Sequence, residues 1–268
     1  MTTAFAPGNI SCIFRIHKGE TPETTGSTGV GFTISKGATA TVAKAANTKI
    51  FLNKKEIHIG PVLSVIKKLT DIPLEVSIIS DLPLGGGFGL SGAATLATAY
   101  AINDLLNLQK GKIELAKLSH IAEVENGTGL GDITNEYFGG FLLKKDPSYL
   151  FKVIHLPIAN IPIYCRFFST LETKSVIQNP VIKEKIDVAG KTAIEKIDAL
   201  YKEKKITLEN VITISKEFAT TSGLLQDQEV IQTIQEIENK GGVASMIMLG
   251  NGVFSNIPFA GSQQFLIC

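Results

Sequence analysis

The sequence predicts an α+β fold built as two lobes, and three observations carry that expectation. Strand-like and helix-like segments mix irregularly along the chain instead of alternating as strict βαβ units, which argues against a doubly wound parallel sheet. The 268 residues lie near the upper limit for one hydrophobic core. The texture also changes after Asp146-Pro147, which places a boundary near residue 150 and divides the chain into lobes at 1–150 and 151–268.

Taken in order, residues 30–42 and 48–59 carry β-branched and aromatic side chains in rough alternation and read as strands. Residues 61–70 read as a helix, 74–79 as a strand, 91–106 as a helix of small residues and 113–125 as another helix. Residues 138–143 are strand-like. In the second lobe, 149–168 reads as two strands, 188–203 as an amphipathic helix, and 211–222 and 230–239 as two more. The segment GGVASMIMLGNGVFSN closes the lobe around a glycine-rich turn.

Composition excludes several classes. With 26 basic and 25 acidic side chains the formal charge is +1, which suits neither a nucleic-acid sleeve nor a polybasic membrane patch. Hydrophobic residues at 44% against 19% charged exclude wholesale disorder. Cys12, Cys165 and Cys268 show no CxxC spacing, and the histidines at 17, 58, 120 and 155 show no metal-type pairing. No apolar run approaches the ~18 residues of a membrane span. The first residues lack the basic and apolar regions of a secretory signal. A cytoplasmic protein with no nucleic-acid or membrane partner is expected.

The 25 glycines are concentrated, not scattered. Gly85, Gly86, Gly87 and Gly89 follow Pro83 and precede Leu90-Ser91-Gly92-Ala93, where a helix begins. Glycines let the backbone approach a ligand, and the helix N-terminus behind them adds free N–H groups and a positive dipole end. The segment from Pro83 to Ala93 is therefore expected to cradle a phosphate. The alternative is a flexible loop before a buried Ala-rich helix. A Walker A loop fails because Leu90-Ser91, not Lys, follows Gly89. The GxGxxG at Gly87, Gly89 and Gly92 lacks the second strand ending in an acidic residue that a dinucleotide site needs.

A second cluster holds His120, Glu123, Glu125 and Asp132, with a Gly-rich turn at 127–131 just before Asp132. His120 and Glu123 lie three apart, on one helix face. Phosphoryl transfer needs an anion cradle, an oxygen ligand for Mg²⁺ and a carboxylate near the attacking hydroxyl, parts that Ser91, Glu123 and Asp132 could fill. Taken alone, Glu123 reads better as a solvated helix charge, and the alternative for Asp132 is a turn or cap residue before Ile133.

The stretch PLGGGFGLSGAAT resembles the second motif of the GHMP kinases, PxxxGLGSSAA. AFAPGNIS, GSTGVG at 26–31, SHIAEVENGTGLGD at 119–132 and ASMIMLGNGVF at 244–254 are most similar to the archaeal pantoate kinases of that superfamily. The resemblance implies an N-terminal lobe like ribosomal protein S5 domain 2, with a ferredoxin-like C-terminal lobe. It implies ATP and Mg²⁺ as cofactors, with Pro83 to Ala93 on the nucleotide, and Ser91 and Glu123 on the metal. Asp132 then stands at the position of the catalytic base. Ser27, His120, Lys144 and Thr173 fall on the side of a small hydroxy acid, expected to be pantoate, phosphorylated on its primary hydroxyl on the way to coenzyme A. The resemblance admits a homodimer.

Departures from the pattern are Thr28 where the relatives carry Arg, Lys144 or Lys145 where another Arg is expected, and Asn9 where Lys or another polar residue is usual. Lys is a point charge and Arg a bidentate fork, so the exchange is not neutral. A changed acceptor such as mevalonate 3-phosphate is the alternative reading, and a non-catalytic metabolite-binding protein is a further one. The glycines at 241–252 match a third motif or a plain hairpin turn.

Overall fold

In the computed structural model, residues 1–170 and 180–268 are described. Strands β1 (Thr2–His17) and β2 (Gly26–Lys44) form a long antiparallel pair whose register slips at Pro7/Gly8 and Ser11/Ile13. The first slip turns the Asn9 amide away from the ladder, so that it donates 2.9 Å to the carbonyl of Phe88. A side chain on Gly8 would collide with Leu82 and with that same carbonyl. The start of the chain is thereby fastened to the glycine loop.

The remaining strands of this sheet are β3 (Lys49–Leu52), β4 (Lys55–Glu56), β5 (Leu74–Ile79), β6 (Phe141–Lys144) and β7 (Ile154–His155). They lie in the order β4-β3-β5-β2-β6-β7, with β1 on β2. Strand β2 is the spine, pairing with β6 at one end and β5 at the other. Helices α1 (Gly60–Leu69), α2 (Leu90–Leu106) and α3 (Lys112–Asn126) pack on one another, and α2 packs on β1 and β2. Helix α2 is apolar almost all round because sheet and helices cover it. Among the described residues, no helix is long and apolar enough to cross a membrane.

The short helix α4 (Asp132–Phe138) leads into β6. Strands β8 (Pro162–Ser169), β9 (Ala244–Met246), β10 (Asn251–Ser255) and β11 (Gln263–Leu266) form a second, antiparallel sheet in the order β11-β8-β10-β9. Helices α6 (Leu208–Thr221) and α7 (Gln228–Glu238) cover it, while α5 (Pro180–Lys202) bridges α6 and β1. The result is the expected α+β fold. One hydrophobic core runs from Ala6 to Ile267 and joins the two sheets. Phe32 of the first sheet, fully buried, contacts Phe141 (4.9 Å between centroids) and Phe254 of the second (5.8 Å).

Several segments differ from the expectation. The stretch read as a strand over 48–59 is two short strands around a turn at Asn53-Lys54, both with positive φ. Residues 138–143 hold a helix end and a strand, because Gly139 and Gly140 separate α4 from β6. The two strands read in 149–168 reduce to the two-residue β7 and to β8. Strands β1 and β11 were not anticipated.

Candidate active site

The glycine loop sits where β1, α2 and the β9–β10 turn meet. Gly87 and Gly89 have φ of 78° and 66°, the left-handed region that favours glycine. A Cβ on Gly87 would also strike Ile247 and the Met248 carbonyl. Gly89 is the N-cap of α2 and has no side chain to cap it. The first-turn amides of α2 are thus left for a ligand, at the positive end of a 17-residue helix. Gly85, Gly87, Gly89, Leu90, Ser91 and Gly92 line the adjoining cleft, with residues 128–132, Ser11, Phe14, Ser27, Met248 and Leu249 completing it. Gly86 packs instead on Phe167 and Pro83, and Ala93 is fully buried, so neither Pro83 nor Ala93 lines the cleft.

Helix α3 brings Glu123 under this loop, where it is 1% exposed. Its Oε1 accepts hydrogen bonds from Ser91 Oγ (2.7 Å) and Thr95 Oγ1 (3.3 Å), and its Oε2 from Thr128 Oγ1 (2.7 Å). Burial pushes its carboxyl up to about 7, against the pull of those hydroxyls. Asp132 opens α4, and its Oδ1 accepts from Asn9 Nδ2 at 2.7 Å, while Asn9 Oδ1 accepts from Asn135 Nδ2 at 2.5 Å. Burial raises its pKa too, opposed by Lys144 and Asn9. A Cβ on Gly129 would lie 2.9 Å from both Asp132 Oδ2 and Glu123 Oε2. The two carboxylates therefore face one another across a bare glycine.

On the far side of the turn, a Cβ on Gly131 would collide with Ser27 Oγ and lie 2.7 Å from Lys144 Nζ. Ser27 faces the cleft, while Lys144 lies behind, buried, and donates 2.9 Å to the Gly131 carbonyl. Burial lowers its pKa to about 8, although Asp132 and Glu136 favour its charge. Lys145 points elsewhere and pairs with Asp198 at the surface. Thr28 lies 3.0 Å from His17 Nε2.

His120 stands behind the wall of the cleft. Its ring is buried, Nε2–H donates 2.9 Å to the Thr25 carbonyl, and its plane meets Phe151 edge-on. Desolvation lowers its pKa and keeps the ring neutral. Thr173 lies outside the described residues. Sequence reasoning missed Thr95 and Thr128, which hold Glu123, and Asn135, which holds Asn9, and also Glu136, one helical turn after Asp132. Only the spacing of Asp132 and Glu136, four apart, could have signalled that residue, and only had 132–138 been read as a helix.

The model of the GHMP kinase N-terminal domain matches residues 57–140. A pantoate kinase of Methanocaldococcus jannaschii is 35% identical over 255 residues, covering 93% of this chain and 90% of that protein. A second, from Methanospirillum hungatei, is 31% identical and covers 94% and 86%. Among solved structures, a phosphotransferase related to the CoA biosynthesis pathway superposes with a TM-score of 0.81 at 27% identity, covering 94% of this chain and 86% of that one. Mevalonate diphosphate decarboxylase from Staphylococcus aureus shares the fold, with a TM-score of 0.74 at 14% identity over 100% and 95%. The chain belongs to the GHMP kinases. Within them, its full-length likeness is to the pantoate kinases.

Proposed function

We propose that this protein transfers the γ-phosphoryl group of ATP to the primary hydroxyl of pantoate, giving 4-phosphopantoate for coenzyme A synthesis. The observation that carries this reading is Asp132, oriented by Asn9 and set across Gly129 from the Glu123–Ser91 pair, beside a glycine loop at a helix N-terminus. Residues 1–150 serve as the nucleotide-binding lobe, and residues 151–268 close the cleft from the other side with Met248 and Leu249.

Mg²⁺ fits the donors present. Ser91 Oγ and Glu123 Oε1 are hard oxygen ligands 2.7 Å apart, and a buried carboxyl with a pKa near 7 lacks a cation. Mg²⁺ is commonly held by one or two protein oxygens together with substrate phosphates and water. When bound, Mg²⁺ supplies charge neutralisation for the transferring phosphoryl group.

The protein's own groups do the rest. The loop and α2 amides hold the phosphates, and Asp132 accepts the proton of the attacking hydroxyl. Ser27 meets the substrate carboxylate, with the Lys144 charge behind it. Closure by Met248, Leu249 and Phe14 excludes water and fixes the geometry of attack. No phosphoenzyme is formed in this scheme.

ADP release measured with pantoate, mevalonate, mevalonate 3-phosphate, homoserine and shikimate tests the assignment. Turnover with pantoate above all others is expected. Turnover confined to mevalonate 3-phosphate would overturn the acceptor and leave the reaction class standing.

A further inference from the structure

Glu136 is the buried group that the chemistry above leaves unused. It lies on α4, 4% exposed, and its carboxyl lies against the backbone N–H of Ala93 in α2, with no well-formed hydrogen bond to either oxygen among the described residues. Burying a polar group without a partner is costly, so its presence calls for a reason. The reason lies in what it touches. A Cβ on Gly92 would fall 2.7 and 2.9 Å from its two oxygens, and one on Gly89 would fall 2.7 Å from Oε1 and 3.0 Å from the Asn9 nitrogen. The carboxyl fills the space that side chains at 89 and 92 would occupy. These glycines are thus bare on two accounts. One side leaves room for phosphate, and the other admits Glu136.

We infer that Glu136 is a positioning residue for the phosphate loop, its carboxyl group wedged against Gly89 and Gly92 to set the height of the first turn of α2 above Asp132. The inference deepens the kinase reading and rests on it, since the ligand so placed is the triphosphate of the nucleotide. Burial and the neighbouring carboxylates of Asp132 and Glu123 push the Glu136 carboxyl well above its ordinary range, opposed by Lys144. At the contact with Gly89 and Gly92, what Glu136 contributes is bulk at a fixed length. An amide of the same length serves equally, and a shorter acid does not.

The test exchanges volume across the contact and reads the Kd of Mg-ATP by calorimetry, with turnover on pantoate alongside. Glu136→Gln should keep the wild-type Kd within about twofold, whereas Glu136→Asp, one methylene shorter, should raise it about tenfold, a loss of ~1.4 kcal/mol. Gly92→Ala, which pushes a methyl into the carboxyl, should raise it by a similar factor of about ten. The double variant Gly92→Ala/Glu136→Asp should recover to within about threefold of wild type, a non-additivity expected only of groups sharing one space. The KM for the hydroxy acid should not move in any of them. Additive losses in the double variant, or an unchanged Kd in Glu136→Asp, would overturn the inference. Should Gly92→Ala fail to fold, the contrast between the Gln and Asp variants decides alone. A wild-type protein that binds Mg-ATP but ignores pantoate would fail the substrate assignment and leave this comparison intact.

Discussion

Nδ2 of Asn9 donates a 2.7 Å hydrogen bond to Oδ1 of Asp132, joining residues 123 positions apart in the chain. Asn9 is itself held by Asn135 and by the carbonyl of Phe88 in the glycine loop. The proposed base is thus registered directly to the glycine loop. It is oriented by a neutral amide, which leaves its basicity higher than a cation at position 9 would.

Removing that donor should weaken the ionised form of Asp132. A hydrogen bond to a charged group is worth ~1.5–3 kcal/mol, or about one to two pH units. In Asn9→Ala, the acid limb of the kcat profile should move to higher pH by about that amount, because more of the carboxyl is then protonated at any given pH. Turnover at neutral pH should drop about tenfold or more. An unmoved acid limb would show that Asn9 does not tune the base.

Lys144 sets a limb at the other end. Its ammonium is held down to about 8 by burial, so in the free enzyme its charge fades as the pH rises through that value. The profile of kcat/KM for pantoate should therefore fall above about pH 8. Lys144→Arg should abolish the fall, since guanidinium stays charged. If the Arg variant lost activity along the same curve, the limb would belong to another group.

Glu123 should mark the stability of the metal-free protein. Its carboxyl titrates near 7 when folded, against an ordinary value of 4.5, so the folded state retains a proton that the unfolded chain has released. The advantage is full below about 4.5 and is lost as the pH rises through about 7. The loss is on the order of 3 kcal/mol. Glu123→Gln, which cannot ionise, should melt above wild type at pH 8 without Mg²⁺ and converge with it toward pH 5. Mg-ATP should stabilise wild type far more than the variant. Parallel melting curves across the whole pH range would contradict the assignment of a buried, metal-seeking acid.

Much of the site was legible because its signals are local. Four glycines before a Ser-led helix, and an acidic helix running into a Gly-rich turn, state their chemistry within a few residues. The strand at 2–17 was hidden because Pro7, Gly8 and two slips of register break its alternation. Helix α4 was missed because seven residues give too little periodicity, and Glu136 was lost with it. His120 shares a helix face with Glu123, but spacing says nothing of where a ring turns, and this one turns to the Thr25 carbonyl. The Asn9–Asp132 contact depends on two distant segments meeting, which no local pattern encodes.

In the proposed reaction Asp132 acts on the hydroxyl of pantoate and not on the nucleotide. Steady-state ADP release with pantoate, read beside calorimetric Mg-ATP binding in Asp132→Asn, tests it most directly. A fall in kcat of about 10²–10⁴, the usual worth of general-base assistance, with Mg-ATP affinity kept within about threefold, is the predicted result. Wild-type turnover in that variant would contradict it.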